Sequence, residues 1–474
     1  MAGTDAIVIG AGLAGLACAL ALSDRGLRVT VLEASDTPGG RARSWTDATT
    51  GDRVDIGPHI LLSEYRNLRA MLERLGTHEQ IAWQGRRFLL LADQPQLEIR
   101  VDPLPAPLHL LPSLLKAPQA PMHDLVSNAR VLWRTLRLTA DDVQALDAID
   151  AETLVRRLGV TPHFIDWFWR TGAMTLMNVP LGECSAGALL QLFRFLIGVS
   201  GYEVGLAKVG LGDLFAPAAI RAIEANGGKV RFGAPVAGLI GDASATGVRL
   251  RDGAELHAPR CIAAVPPDAL RAMLPPHWTG RHGLFDSFAR FKPSPYISSY
   301  LWFDRKLTRE PFWSKVWTPR TLHYDFYDLS NIRSGWRDRA SVIACNLIHS
   351  DRAAGLSDDQ IVQAAVREAA EFVPGAADAH VTHASVHRIP MAIPSPHPGT
   401  ERLRPGPITP VEGLFLAGDW LDTGLPSSME SAVRGGWLAA EAVLSTAGGR
   451  AEAIARPVPT LQGLAALIGH RSLR

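Results

Sequence analysis

Three glycines, Gly10, Gly12 and Gly15, set the spacing GxGxxG inside the run "VIGAGLAGLACALALS" from Val8 to Ser23. Such a run can cradle a diphosphate. The first glycine allows the tight turn, the second lets the phosphates approach the backbone, and the third lets the next helix pack closely. Glu33 closes the following apolar run, where a carboxylate can accept hydrogen bonds from the hydroxyls of an adenosine ribose. Directly after it, "EASDTPGGRAR" from Glu33 to Arg43 brings Gly39 and Gly40 beside Arg41, exposed amides next to a guanidinium charge. The cysteines, Cys18, Cys184, Cys261 and Cys345, have neither CxxC nor metal-ligand spacing, so they read as reduced core thiols and no metal site is expected.

These residues need elements to hold them. Ala6 to Gly10 reads as a buried parallel strand, Ala14 to Ser23 as a helix and Arg28 to Glu33 as a second strand, the unit that begins a doubly wound sheet. A second nucleotide-domain portion starts near Leu211, with a helix closed by Gly227 and Gly228 and strands at Lys229 to Phe232, Gly247 to Leu250 and Cys261 to Val265. "YISSYLWF" at Tyr296, "SVIACNLI" at Ser341 and "HVTHASVHRI" at His380 suggest a separate mixed sheet. "GLFLAGD" at Gly413 to Asp419 then returns as a buried strand before a last helix that ends near Leu444.

Between these parts, helical composition runs from Leu125 through Gly198, and Pro103 to Met122 is apolar but broken by six prolines. The division expected is therefore 1–75, 211–275 and 406–445 for the nucleotide domain in three parts, 76–210 for a helical substrate and membrane-facing segment, 276–405 for the sheet of the substrate domain, and 446–474 for a weakly specified tail.

Charge excludes one class of partner. With 48 basic and 47 acidic residues the formal charge is only +1, far from the basic footprint that nucleic-acid binding needs. No apolar run reaches the roughly 20 residues of a spanning helix, and no basic leader precedes Ala6, so the chain is expected in the cytoplasm, peripheral on the inner face of the membrane. "WFW" at Trp167 to Trp169 suits ordinary core packing or a greasy interface; with Pro103 to Met122 it is expected as a lipid-facing entrance.

The Gly39–Gly40–Arg41 signature resembles that of glutathione-reductase-type flavoproteins, and "GLFLAGDWLDTGLPSSME" from Gly413 resembles the motif that closes the FAD site in the same superfamily. "VDIGPHILLSEYRNLRAMLERLG", "LPAPLHLLPSLL", "MNVPLGECSAGALLQLFR" and "AVPPDALRAML" together resemble the squalene-associated flavoenzymes of the hydroxysqualene dehydroxylase group, while "SSYLWFDRKLT" is similar to phytoene desaturases. The resemblance implies an α/β fold, a glutathione-reductase-type FAD-binding Rossmann domain interleaved with a mixed-sheet and helical substrate domain. It implies noncovalent FAD, since no cysteine lies near Ser427 or Ser428. The cofactor contacts it implies are Gly10, Gly12, Leu13, Ala14, Gly15, Glu33, Ala34, Gly39, Gly40, Arg41, Gly57, Pro58, His59, Val236, Gly418, Asp419, Ser428 and Met429.

Reductive dehydroxylation of hydroxysqualene to squalene is the activity expected, acting on an apolar isoprenoid with a redox partner that the residues do not identify. Candidate proton donors are Asp55, His59 and Glu430, each in a segment expected beside the flavin. The alternatives are a carotenoid desaturase, a flavin amine oxidase and a prenyl-lipid-binding escort protein without turnover. Trp420 and Thr423 stand where an amine cage would want a pair of tyrosines.

Overall fold

The computed structural model describes residues 3–446 and 452–470. Its first element is strand β1 (Ala6–Ile9), followed by helix α1 (Leu13–Ser23) and strand β2 (Val29–Leu32). Every residue of both strands is buried, as parallel strands covered on two faces must be. The sheet they begin has five strands, all parallel, in the order Lys229–Arg231, β2, β1, Cys261–Ala263, Leu414–Leu416. Three stretches far apart in the chain therefore close one Rossmann sheet.

One face of that sheet is covered by α1, Ala216–Ala225 and the long helix Met429–Thr446. Two glycines let the last of these sit close, Gly436 against α1 and Gly435 against the turn after Leu414–Leu416. A Cβ on Gly436 would stand 2.3 Å from the Ala14 carbonyl, and one on Gly435 would stand 2.2 Å from the Gly418 carbonyl. Any side chain there would push the helix off the sheet.

A second sheet of seven strands has the order Val381–Pro394, Pro293–Phe303, Val342–Ile348, Asp325–Asp328, Phe312–Ser314, Arg87–Leu91, Leu97–Arg100. Its first five strands are antiparallel neighbours. Helix Asp358–Ala370 covers one face through Ile361, Ala365 and Ala369, and starts with a Ser357/Gln360 capping box. The other face, through Tyr300, Trp302 and Tyr327, shares a core with Val54, Leu62 and Val204.

The stretch 76–210, expected to be helical, also holds strands at Ile81–Trp83, Arg87–Leu91, Leu97–Arg100 and Val204–Ala207. Its Leu90, Leu91, Leu97 and Ile99 are buried on two strands that complete the edge of the mixed sheet, and Leu91, Leu97 and Ile99 pack into the core of the helical unit. Trp167 and Trp169 are buried within the helical core beside Phe164 and Phe193, so "WFW" is core packing and no part of a lipid-facing entrance. In the tail, 452–470 docks by Leu461 and Ala465 against Ala106 and Leu136, a firmer placement than its composition suggests; 447–451 and 471–474 lie outside the described residues.

Candidate cofactor and substrate site

The glycine loop has two kinds of glycine in it. Gly10 has φ +104°, donates to the Leu32 carbonyl at 2.7 Å, and would press a Cβ to 2.7 Å from the Ala264 carbonyl. A Cβ on Gly15 would lie 2.0 Å from the Gly10 carbonyl, so α1 can seat on the strand end only without a side chain there. Gly12 is not required by packing. The nearest atom to its Cβ would be Gly40 Cα at 3.9 Å, and the space it leaves open lies between two glycine loops. Gly39 and Gly40, at φ +105° and +56°, form the facing loop, tied on by the Gly39 amide donating to Ala11 carbonyl at 2.9 Å. Leu13 and Ala14 open α1 with amides that have no partner within the helix, aimed at the same space.

Glu33 holds this cradle from the side. One carboxylate oxygen accepts from the Ala11 amide at 2.8 Å and the other from the amide and hydroxyl of Ser35, both at 3.0 Å. The oxygen that accepts from Ala11 keeps acceptor capacity for a ribose hydroxyl. Ala34 follows it at the surface, and Val236 is buried nearby, two residues past Ala234, whose amide donates to the Glu33 carbonyl.

Arg41 and Asp419 come from opposite ends of the chain and meet as a two-pronged ion pair, 2.6 and 3.2 Å. Asp419 is buried, and its carbonyl accepts from Arg404, Ser427 and Ser431. Gly418 precedes it at φ +154°. Ser428 caps the helix Met429–Thr446, its hydroxyl accepting from the Ser431 amide at 3.1 Å, so the amides of Met429 and its neighbours face outward at the positive helix end. Two clefts flank the Pro426–Ser428 turn, the first lined by Met177, Ile393 and Trp420, the second by Tyr65, Leu192 and Leu425.

Gly57, Pro58 and His59 form the inner wall. A Cβ on Gly57 would stand 2.8 Å from the Tyr296 hydroxyl, which places this segment against the mixed sheet. His59 shares its Nδ1 with the Gly57 carbonyl at 2.8 Å; burial, with the Arg41 charge adding to it, holds the imidazole below its ordinary pKa. It is neutral near pH 7 and its Nε2 is an acceptor.

The other two expected proton donors are fully engaged. Asp55 accepts from Ser44 at 2.5 Å, from the Leu211 amide at 2.7 Å and from Arg333, and its backbone exchanges hydrogen bonds with the Tyr300 hydroxyl. Glu430 accepts from the Asn67 amide and side chain and from the Leu68 amide, capping helix Arg66–Leu75; burial raises its pKa. Asp55 and Glu430 bind the architecture together, their carboxyl oxygens taken up by these partners.

A further acidic residue does face that space, and sequence reasoning missed it. Across the inner face of the mixed sheet, His387, Ser298, Asn346, Asp325 and Ser314 stand directly opposite one another on five adjacent strands. Tyr296 and Tyr300, on the same face as Ser298, reach Gly57 and Asp55, so this row looks toward the wall of the candidate cofactor site. Asp325 is buried, its carboxyl bonded among the described residues to Ser314 alone, and burial pushes that carboxyl up to about 6. The sequence signal was "YDFYD", a carboxylate spaced among aromatic residues in a buried strand.

Residues 13–444 match the family model described as flavin containing amine oxidoreductase. The chain is 27% identical over 454 residues to the 15-cis-phytoene desaturase of Solanum lycopersicum, covering 93% of this chain and 77% of that one. It is 25% identical over 455 residues to the 15-cis-phytoene desaturase of Synechococcus elongatus, covering 92% and 95%. Among solved structures, the cyclohexylamine oxidase of Brevibacterium oxydans superposes with a TM-score of 0.71 at 18% identity, over 94% of this chain and 100% of that one, a likeness of fold.

Proposed function

We propose, from the premise that this chain belongs to the flavin containing amine oxidoreductase family and is an FAD-dependent oxidoreductase, that its substrate is a long uncharged isoprenoid alcohol and its reaction the reductive dehydroxylation of hydroxysqualene to squalene. The observation that carries the substrate class is an apolar outer face. Leu111, Leu115, Met122, Val126, Trp133 and Leu467 are all exposed on neighbouring elements, from 38% for Leu111 to 82% for Leu467. They sit outside the helical unit, whose Leu110 and Leu114 turn inward. A surface of this kind suits contact with a lipid leaflet, from which such a substrate would be drawn. The similarity to phytoene desaturases over nearly the whole chain agrees with an isoprenoid.

The chain's own residues divide the work. The two glycine loops and the end of α1 would hold the FAD diphosphate, Glu33 the adenosine ribose, and the Arg41 and Asp419 region the part of the cofactor between diphosphate and ring. Reduced flavin, when bound, supplies a hydride. Burial of the substrate chain is worth about 25 cal/mol per Å² of apolar area, so affinity requires few polar contacts. Trp420 meets the first cleft as part of its wall, held by its indole N–H donating to the Val265 carbonyl at 3.1 Å and by an edge contact with Phe288.

Desaturation of a polyene by the oxidised flavin is the second reading, favoured by the named relatives. An anaerobic assay separates the two. Chemically reduced protein given hydroxysqualene is expected to yield squalene by mass spectrometry. Dehydrogenation of phytoene by the oxidised protein, with hydroxysqualene left untouched by the reduced protein, would install the second reading in its place.

A further inference from the structure

A polar row is unexpected on the inner face of a sheet that borders the site of a hydrocarbon. Ser298 Oγ and Asn346 Oδ1, side by side in the strand register, are buried without a hydrogen-bond partner, and so is the Tyr324 hydroxyl beside them. Asp325, opposite Asn346, is held only by Ser314 among the described residues. Buried polar atoms normally find partners, and three orphans next to one half-engaged carboxyl on a single strip of sheet are a set waiting for a ligand. Met174, Trp317 and Ile348 pack beside Tyr324 and Tyr296, so the surroundings are apolar.

The chemistry of the set selects the ligand. It offers a hydroxyl and a phenol that both donate and accept, an amide, and a carboxyl; no arginine or lysine stands on the row, and Arg352, near Tyr324, spends its two Nη groups on the Thr321 and Leu322 carbonyls, so the set suits a neutral hydroxyl better than a carboxylate or phosphate. We propose that Ser298, Tyr324, Asp325 and Asn346 form a site for the single hydroxyl of an otherwise apolar substrate, with Asp325 the group that protonates it. This rests on the dehydroxylation reading above. The step balances: the Asp325 carboxyl gives its proton to the substrate oxygen, the C–O bond breaks with its electron pair on oxygen, and water leaves. The carbon then takes a hydrogen and two electrons from reduced flavin, and the Asp325 carboxylate is reprotonated from solvent. Burial keeps that carboxyl near 6, and the other titratable groups facing it, Tyr296, Tyr324 and Tyr327, are phenols raised well above 10, chiefly by burial. The phenols do not titrate in the same range, and His387, its pKa held below the ordinary value by burial, stands on the row three strands away from Asp325.

The test reads binding separately from chemistry. Oxidised holoprotein is titrated with hydroxysqualene and with squalene, following the flavin absorbance, and the wild type should bind the alcohol at least tenfold tighter. A Ser298→Ala/Asn346→Ala double variant should lose that preference while its affinity for squalene holds. Asp325→Asn should keep the preference and slow single-turnover formation of squalene by the reduced protein at least a hundredfold, removing a fall in rate as pH rises through about 6. Retention of flavin and of squalene binding shows that each variant is folded. Equal affinities in the wild type, or a preference untouched by the double variant, would overturn the site; an unchanged rate in Asp325→Asn would overturn the proton role. An alkylamine that outbinds the alcohol and depends on Asp325 would reassign the site to a cation. If the alcohol preference is present and lost as described but no squalene forms, the site stands and dehydroxylation falls.

Discussion

Replacing Asp55 by Asn distinguishes a scaffold residue from a proton donor. Asp55 and Arg333 form a buried ion pair, each side chain about 4% exposed, and the same carboxylate accepts from Ser44 and from the Leu211 amide. Asn is nearly isosteric but neutral, so it leaves the Arg333 guanidinium buried with one carbonyl partner, that of Ala207 at 3.0 Å. Breaking a buried pair from one side costs about 3–5 kcal/mol, most of it the desolvated charge left behind. Adding Arg333→Met in the same chain removes that charge and should restore about half the loss or more. The assay is urea unfolding followed by circular dichroism at fixed excess FAD, because bound cofactor adds its own stabilisation. In parallel, the reduced protein is followed through one turnover at a temperature where the variant remains folded, and its rate should stay within a few-fold of the wild type. A variant as stable as the wild type that turns over a hundredfold more slowly would refute the scaffold argument and make Asp55 the proton source.

The remaining expectations are shorter. Gly12→Ala should fold normally and bind FAD at least tenfold more weakly, because its Cβ meets open space, whereas Gly15→Ala should fail to fold, with its Cβ 2.0 Å from a carbonyl; circular dichroism and flavin retention read the two separately. Glu33→Gln should release noncovalent FAD more readily by about 1.5–3 kcal/mol for each charged hydrogen bond weakened, measured by ultrafiltration. Leu115→Asp with Trp133→Asp should abolish flotation with liposomes and leave FAD binding intact; equal flotation would end the lipid-surface reading. Asp325 has a folded-state pKa near 6 against an ordinary 3.8, so its protonated form favours the fold below pH 4 and that contribution is lost as pH rises through 6. Asp325→Asn should therefore gain stability over the wild type between pH 5 and pH 8, by up to about 3 kcal/mol, in unfolding titrations.

Much of the cofactor end was legible because backbone requirements leave marks on single residues. A carbonyl 2.7 Å from a would-be Cβ demands Gly10, and one at 2.0 Å demands Gly15, so the strand, turn and helix could be placed to within a residue or two. The substrate end was written differently. That Ser298 faces Asn346 and Asn346 faces Asp325 follows from strand register over segments as distant as 298 and 387, and no local pattern encodes it. Asp55 and Glu430 looked available for catalysis for the same reason. Their partners, Arg333 and Asn67, lie 278 and 363 positions away. The strands at Arg87–Leu91 and Leu97–Arg100 were missed because a short apolar run beside helical composition has no period of its own.

That contrast bears on how one fold serves several chemistries. The cradle is made of backbone: glycine turns, helix-end amides and one Glu, with Gly10, Gly15 and Gly39 fixed by contacts shorter than a methyl group could tolerate and Gly12 left open for the cofactor, so substitutions there are lost with the fold or the cofactor. The floor facing it is made of side chains on an eleven-residue strand and its neighbours, where the register holds the positions and any residue of similar volume can occupy them. A cyclohexylamine oxidase can therefore share the frame at 18% identity while the substrate is read elsewhere in the sequence. In this chain the residues that do the reading are expected on the row through Ser298, Asn346 and Asp325, and exchanging those three should alter which substrate is accepted without loosening the flavin.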